Sequence, residues 1–154
     1  MATDEAIESV LRLFEVDTLK KEQKELLSCI IEGLDCLAIL PTGFGKSLPY
    51  QMAVSVLREV AIASGSVFAK KIIVCCPLIA LMKDQVERLR NIPGIRAVYQ
   101  DGSPETDAAI QHGCFDYLFA PPELLVGDES FRELLGKFDV ATIVVDEFHT
   151  IACW

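Results

Sequence analysis

Five short apolar runs, each separated from the next by a stretch of helical periodicity, constrain this chain more than any other feature. They are "DCLAIL" (35–40), "KIIVCC" (71–76), "IRAVYQ" (95–100), "FDYLFA" (115–120) and "VATIVV" (140–145). Three of them are nearly continuous in apolar character, the mark of parallel strands covered on both faces. Between them the periodicity predicts helices over 46–64, ended by Gly65, over 78–90 after Pro77, near 104–112, and one or two across 122–136. Strand alternating with helix predicts an α/β fold with a mainly parallel sheet and right-handed crossovers. Two helices come first. "DEAIESVLRLF" spaces Ile7, Val10, Leu11 and Phe14 helically behind Asp4 as N-cap. A second runs from about Thr18 to Glu32 with Leu19, Leu26, Leu27, Ile30 and Ile31 on one stripe and Gly33 as its stop.

There is no repeat, low-complexity tract or linker, so one globular domain is expected: N-terminal helices over 1–33 lead into an α/β body over 34–154. The chain halts at "DEFHTIACW", straight after a strand, which reads as a piece of something longer. Apolar runs stop well short of a membrane span, and the acidic start "MATDEAIESV" is no secretory signal, so a soluble intracellular protein with no membrane contact is expected. The six cysteines never form C-x-x-C and sit mostly in apolar segments, which argues against a zinc site or a disulfide framework. The net charge of −9 lies entirely in the last third. Residues 1–96 carry 12 basic and 12 acidic side chains, and residues 97–154 carry 2 and 11. Nucleic acid held by bulk charge alone would need the opposite balance, so any such contact must be local.

The first run leads into "PTGFGKS" (41–47). In an open α/β sheet, ligands bind beyond the carboxyl ends of the strands. Glycines there let successive N–H groups curl around a chain of phosphates, and the following helix adds its positive N-terminus. Lys46 can reach the β- and γ-phosphates, and the Ser47 hydroxyl can ligate Mg²⁺. The pattern G-x-x-x-x-G-K-S/T is met at Gly45, Lys46 and Ser47, although Leu40 stands at its first position. Pro49 is harmless in a first helical turn, where its missing N–H has no partner.

"VATIVVDEFH" ends its strand on two adjacent carboxylates, Asp146 and Glu147. Alone they read as a strand running into solvent; with a phosphate loop upstream, they read as a metal partner (Asp146) and a base that activates water (Glu147). His149 is equally a loop or core histidine or a relay from the nucleotide.

Taken together, these residues resemble the first motor domain of a superfamily 2 helicase, and specifically a RecQ-type DNA helicase. "LPTGFGKSLPYQ" resembles the family loop M-P-T-G-G-G-K-S-L-C-Y-Q, in which a non-glycine at Leu40 is expected. "CCPLIALMKDQVERL" (75–89) is similar to S-P-L-I-S-L-M-x-D-Q-V, a segment that lies along single-stranded DNA. "YLFAPPELL" (117–125) resembles Y-x-x-P-E at Pro122 and Glu123. "DEFHTIACW" resembles D-E-A-H-C-I-S-x-W, with Phe148 and Thr150 as departures, and Trp154 falls where an aromatic-rich DNA-sensing loop begins. The resemblance covers nearly the whole chain from Phe14.

It implies a three-layer, RecA-like P-loop NTPase that binds ATP and Mg²⁺ and drives 3′–5′ unwinding. Pro41, Thr42, Gly43, Phe44, Gly45, Lys46 and Ser47 would hold the nucleotide, Ser47 and Asp146 the metal. Lys46, Asp146, Glu147 and His149 would form the catalytic set. "FEVDTLKKEQ" (14–23) resembles the adenine-reading F-G-Y-x-x-F-R-x-x-Q, with Gln23 matching the residue whose amide pairs with the base. Val16 and Lys20 replace an aromatic and an arginine there, removing flat stacking surfaces. Single-stranded or duplex DNA would meet Pro77, Lys83, Pro122 and Trp154, though Lys83 reads equally well as a solvated helix residue. The family also needs a second RecA-like lobe, which this sequence lacks, so the fragment alone is expected to be inactive. Such a protein belongs in a nucleus, or in the cytoplasm of a prokaryote. A non-catalytic module derived from a helicase lobe is the competing reading, and a GTPase-type switch is a poorer third.

Overall fold

The computed structural model describes residues 2–41 and 43–146. Thr42, Glu147, Phe148, His149, Thr150 and Trp154 lie outside the described residues. Two compact units divide the chain, residues 1–68 and 69–154.

The first unit is helical: α1 (Ala2–Leu13), α2 (Lys21–Glu32) and α3 (Leu48–Ala63). α1 buries Ala6, Ile7, Val10 and Leu11, the stripe expected from their spacing. It begins at Ala2, so Asp4 lies within the first turn and complements the helix dipole instead of capping the end. Glu15 closes α1 at φ 55, with Val16 N–H donating to Leu11 C=O at 3.0 Å. Gly33, at φ 72, closes α2 in the same way, with Leu34 N–H donating to Cys29 C=O at 2.9 Å. α1 and α2 both pack on α3, whose residues Leu48 to Val56 are all buried.

The strand expected over 35–40 does not form. Residues 34–40 join no ladder, and Leu34, Leu37 and Ile39 are 58%, 73% and 79% exposed. An apolar run becomes a strand only beside another strand, and every described strand belongs to the second unit.

That unit holds β1 (Lys71–Cys75), α4 (Ile79–Arg90), β2 (Ala97–Tyr99), α5 (Pro104–Gln111), β3 (Tyr117–Ala120), α6 (Pro122–Gly127), α7 (Glu129–Leu135) and β4 (Val140–Val145). The strands form one parallel sheet in the order β2-β3-β1-β4. β1 and β3 are central and buried almost throughout, whereas edge strand β4 is only partly covered. This is the expected α/β architecture. A core of Ile73, Val98, Ile110, Phe115, Leu118, Ala120 and Phe131 packs beside the sheet, each large side chain stabilising the fold by about 1.5–3 kcal/mol.

Local chemistry sets the helix ends. "QDGSP" (100–104) carries a cap: Ser103 Oγ accepts from Thr106 N–H at 3.2 Å to start α5. Asp101 accepts from Ser103 N–H at 2.8 Å, and that bond holds its carboxyl below the usual range. Asp128 accepts from Phe131 N–H at 3.0 Å and so splits 122–136 into two helices. No helix among the described residues is long and apolar enough to cross a membrane.

Candidate nucleotide-binding site

In the first unit, the glycine loop turns sharply into α3. Gly43 and Gly45 sit at φ 81 and 87, left-handed values that side chains resist. Phe44 N–H donates to Pro41 C=O at 3.1 Å, and Leu48 N–H to Gly45 C=O at 3.3 Å. The glycines therefore permit two successive tight turns, which set Lys46 and Ser47, both half-buried, immediately ahead of a 16-residue helix with Ser47 as its N-cap residue. The Ser47 hydroxyl makes no capping bond, and Pro49 lies in the first turn. Gly43 has nothing within 4 Å of where a Cβ would stand, so the loop's outer side is open. A half-buried lysine, an uncommitted hydroxyl and an open left-handed turn ahead of a long helix fit a polyphosphate and its cation.

The start of α2 braces this loop from behind. Gln23 is buried, and its Nε2 donates to Gly45 C=O at 3.0 Å and, more weakly, to Phe44 C=O at 3.5 Å. Its Oε1 accepts from Lys20 N–H at 2.9 Å, a reciprocal cap on the helix. Lys20 Nζ donates to Phe44 C=O at 3.0 Å and stands 4.2 Å from the Phe44 ring centre. Lys20 thus partners Phe44, a link that sequence reasoning missed. The signal available was that both positions depart from the helicase pattern at once. Val16 is half-buried and bonded to the end of α1.

In the second unit, three strands finish level. Cys75 on β1 registers with Ala120 on β3 and Val145 on β4. Pro77, Pro122 and Asp146, one or two residues beyond those strand ends, therefore share one edge of the sheet. Cys76 N–H donates to Ala120 C=O at 3.0 Å, and Asp146 N–H to Cys75 C=O at 2.9 Å. Asp146 is buried, and Gln85 on α4 reaches its Oδ2 from Nε2 at 3.5 Å, a loose contact that sequence reasoning did not single out. Pro122 is buried, Pro77 half-buried, and Lys83 exposed on α4. Burial pushes the Cys75 thiol at this edge up to about 11, helped by neighbouring Cys76 and Glu123.

A parallel α/β sheet and a glycine loop opening a helix define the phosphate-loop nucleotide-binding class, here of RecA-like architecture. The DEAD/DEAH box helicase family profile matches residues 20–154, and the chain belongs to that family. It is 33% identical over 153 residues to ATP-dependent DNA helicase RecQ of Haemophilus influenzae, covering 95% of this chain and 23% of that protein. It is 28% identical over 162 residues to ATP-dependent helicase SGS1 of Saccharomyces cerevisiae, covering 99% of this chain and 11% of that protein. Among solved structures, the DUF1998 helicase MrfA shares the fold at TM-score 0.69 and 23% identity, over 96% of this chain and 24% of that one. The chain thus spans less than a quarter of the length of these relatives.

Proposed function

We propose that this chain is the first motor lobe of a RecQ-type 3′–5′ DNA helicase, in which ATP binding and hydrolysis drive unwinding. The observation that carries this reading is the pair of left-handed glycines at 43 and 45, held ahead of α3 with Lys46 and Ser47 beside them. In this reading Pro41 to Ser47 cradle the phosphates and Lys46 sits on the β- and γ-phosphoryl oxygens. Ser47 and Asp146 are the residues that would hold Mg²⁺, which would supply charge neutralisation to the phosphates. Glu147 orients and deprotonates the attacking water, and His149 links the nucleotide to bound DNA. Single-stranded DNA runs past the edge carrying Pro77 and Pro122, with Lys83 and Trp154 as further contacts. The basic groups are too few for a broad electrostatic footprint, so backbone N–H groups at the strand ends carry most of that contact. A second RecA-like lobe supplies the transition-state arginines, and the protein works where DNA is, in a nucleus or a prokaryotic cytoplasm.

The test is fluorescent-nucleotide binding together with DNA-stimulated ATP hydrolysis. The expected result is Mg²⁺-dependent binding to this chain, weakened at least about a hundredfold by Lys46→Ala, with negligible turnover until the second lobe is supplied. Absence of binding in the wild type refutes the nucleotide site. DNA-stimulated turnover by residues 1–154, abolished by Lys46→Ala, refutes the need for a second lobe.

A further inference from the structure

The geometry points to Gln23 as a brace for the phosphate loop, not a reader of the base, and hence to a site that selects nucleotides by their phosphates and accepts any nucleoside triphosphate. This inference rests on the nucleotide-binding reading above and concerns which substrates that same site takes.

A glutamine reads the adenine edge with one N–H and its oxygen, donating to one ring nitrogen and accepting from the exocyclic amine. In this chain those groups are already engaged. Nε2 donates to Gly45 C=O at 3.0 Å, with Phe44 C=O a looser neighbour at 3.5 Å. Oε1 takes the Lys20 N–H at 2.9 Å. The side chain is 5% exposed, so swinging it toward a base exchanges satisfied buried bonds for new ones and yields little net discrimination. The loop also leaves no slack: a Cβ on Gly45 would stand 2.7 Å from Nε2.

Stacking within this segment offers no alternative route to selectivity. The only aromatic residue in "FEVDTLKKEQ" is Phe14, which is 5% exposed and belongs to the core of the first unit. The Phe44 ring carries the Lys20 ammonium over one face at 4.2 Å. Lys20 is tied a second time, by its bond to Phe44 C=O at 3.0 Å. Both groups of the segment that would otherwise meet a base are therefore turned onto residues 44 and 45. Their work is to set the shape of the turn that holds phosphates, which every nucleoside triphosphate presents alike.

The experiment is competition against a fluorescent ATP analogue by ATP, GTP, CTP, UTP and inorganic tripolyphosphate, on the full chain with Mg²⁺. The expected wild-type result is that the four nucleotides agree within about fivefold, where a pocket hydrogen-bonded to one base discriminates by about a hundredfold or more. Gln23→Ala should weaken all four nucleotides and tripolyphosphate together, by roughly tenfold for one lost buried bond. Lys20→Ala, an exposed change, should weaken them together by a smaller factor. The brace is overturned if the wild type prefers ATP by more than about thirtyfold and Gln23→Ala erases that preference while tripolyphosphate binds as before. A strong preference that survives Gln23→Ala overturns the claim that the site ignores the base. If neither nucleotide nor tripolyphosphate binds the wild type, the phosphate cradle itself is refuted, an outcome distinct from the other two.

Discussion

Adding one methyl group at Gly45 should cost more than adding it at Gly43, and the difference measures the brace. Both residues sit in the left-handed region, at φ 87 and φ 81, where an L side chain costs about 1–2 kcal/mol. Gly43→Ala meets nothing within 4 Å, so that backbone cost is the whole effect. Gly45→Ala places its Cβ 2.7 Å from Gln23 Nε2. The amide lies at the end of a flexible side chain and can withdraw, but doing so gives up the 3.0 Å bond to Gly45 C=O and strands a buried donor. That adds about 1–3 kcal/mol, so Gly45→Ala should destabilise by about 2–5 kcal/mol against about 1–2 for Gly43→Ala. Urea denaturation of the two variants gives the difference from their midpoints at a common slope. Repeating both in a Gln23→Ala background closes a double-mutant cycle, in which the extra cost at Gly45 should vanish. Equal destabilisation by the two alanines, or an excess at Gly45 that persists without Gln23, would refute the brace.

Other consequences follow from the second unit. Phe119→Ala removes a fully buried ring on central strand β3, stacked on Tyr117 at 6.5 Å, and should cost about 3–5 kcal/mol in the same denaturation experiment. Asp116→Ala deletes the acceptor of Arg96 N–H (2.8 Å) and of its guanidinium (3.2 Å), and should cost roughly 1.5–3 kcal/mol. Cys75, raised from its ordinary 9.0 to about 11, should resist alkylation at pH 8 while exposed Cys36 and Cys114 react, read by mass spectrometry of modified peptides. The sign for stability follows from linkage. The fold holds Cys75 protonated more tightly than the unfolded chain does, so its contribution is complete below pH 9 and is lost as pH rises from about 9 to about 11. A Cys75→Ala variant should lack that part of the alkaline slope.

The α/β alternation was legible because a strand covered on both faces is apolar nearly throughout, as β1 is in "KIIVCC"; "VATIVV" has the same composition, although β4 is an edge strand and only partly covered. The helix stop at Gly33 was legible too, since few residues accept φ 72. "DCLAIL" shows where this reasoning ends: its composition is that of a strand, but pairing is non-local, and no ladder among the described residues includes it. β2 is shorter than its apolar run because its ladder with β3 spans only Ala97 to Tyr99. In the site, the glycine turn could be read from residue type, because the need for positive φ is written in the sequence. The commitments of Gln23 and Lys20 could not, because each amide and ammonium had several possible partners and only their placement against Phe44 and Gly45 decides among them. The roles of Glu147, His149 and Trp154 rest on the motif they occupy.

The most direct test of the central claim uses Mn²⁺ in place of Mg²⁺ with a non-hydrolysable ATP analogue, following the manganese electron paramagnetic resonance signal and its coupling to phosphorus. The account predicts one bound Mn²⁺ coupled to the triphosphate, lost in Lys46→Ala and weakened alike in Ser47→Ala and Asp146→Asn. A nucleotide-coupled manganese signal unchanged by Asp146→Asn, or by Ser47→Ala, would contradict it.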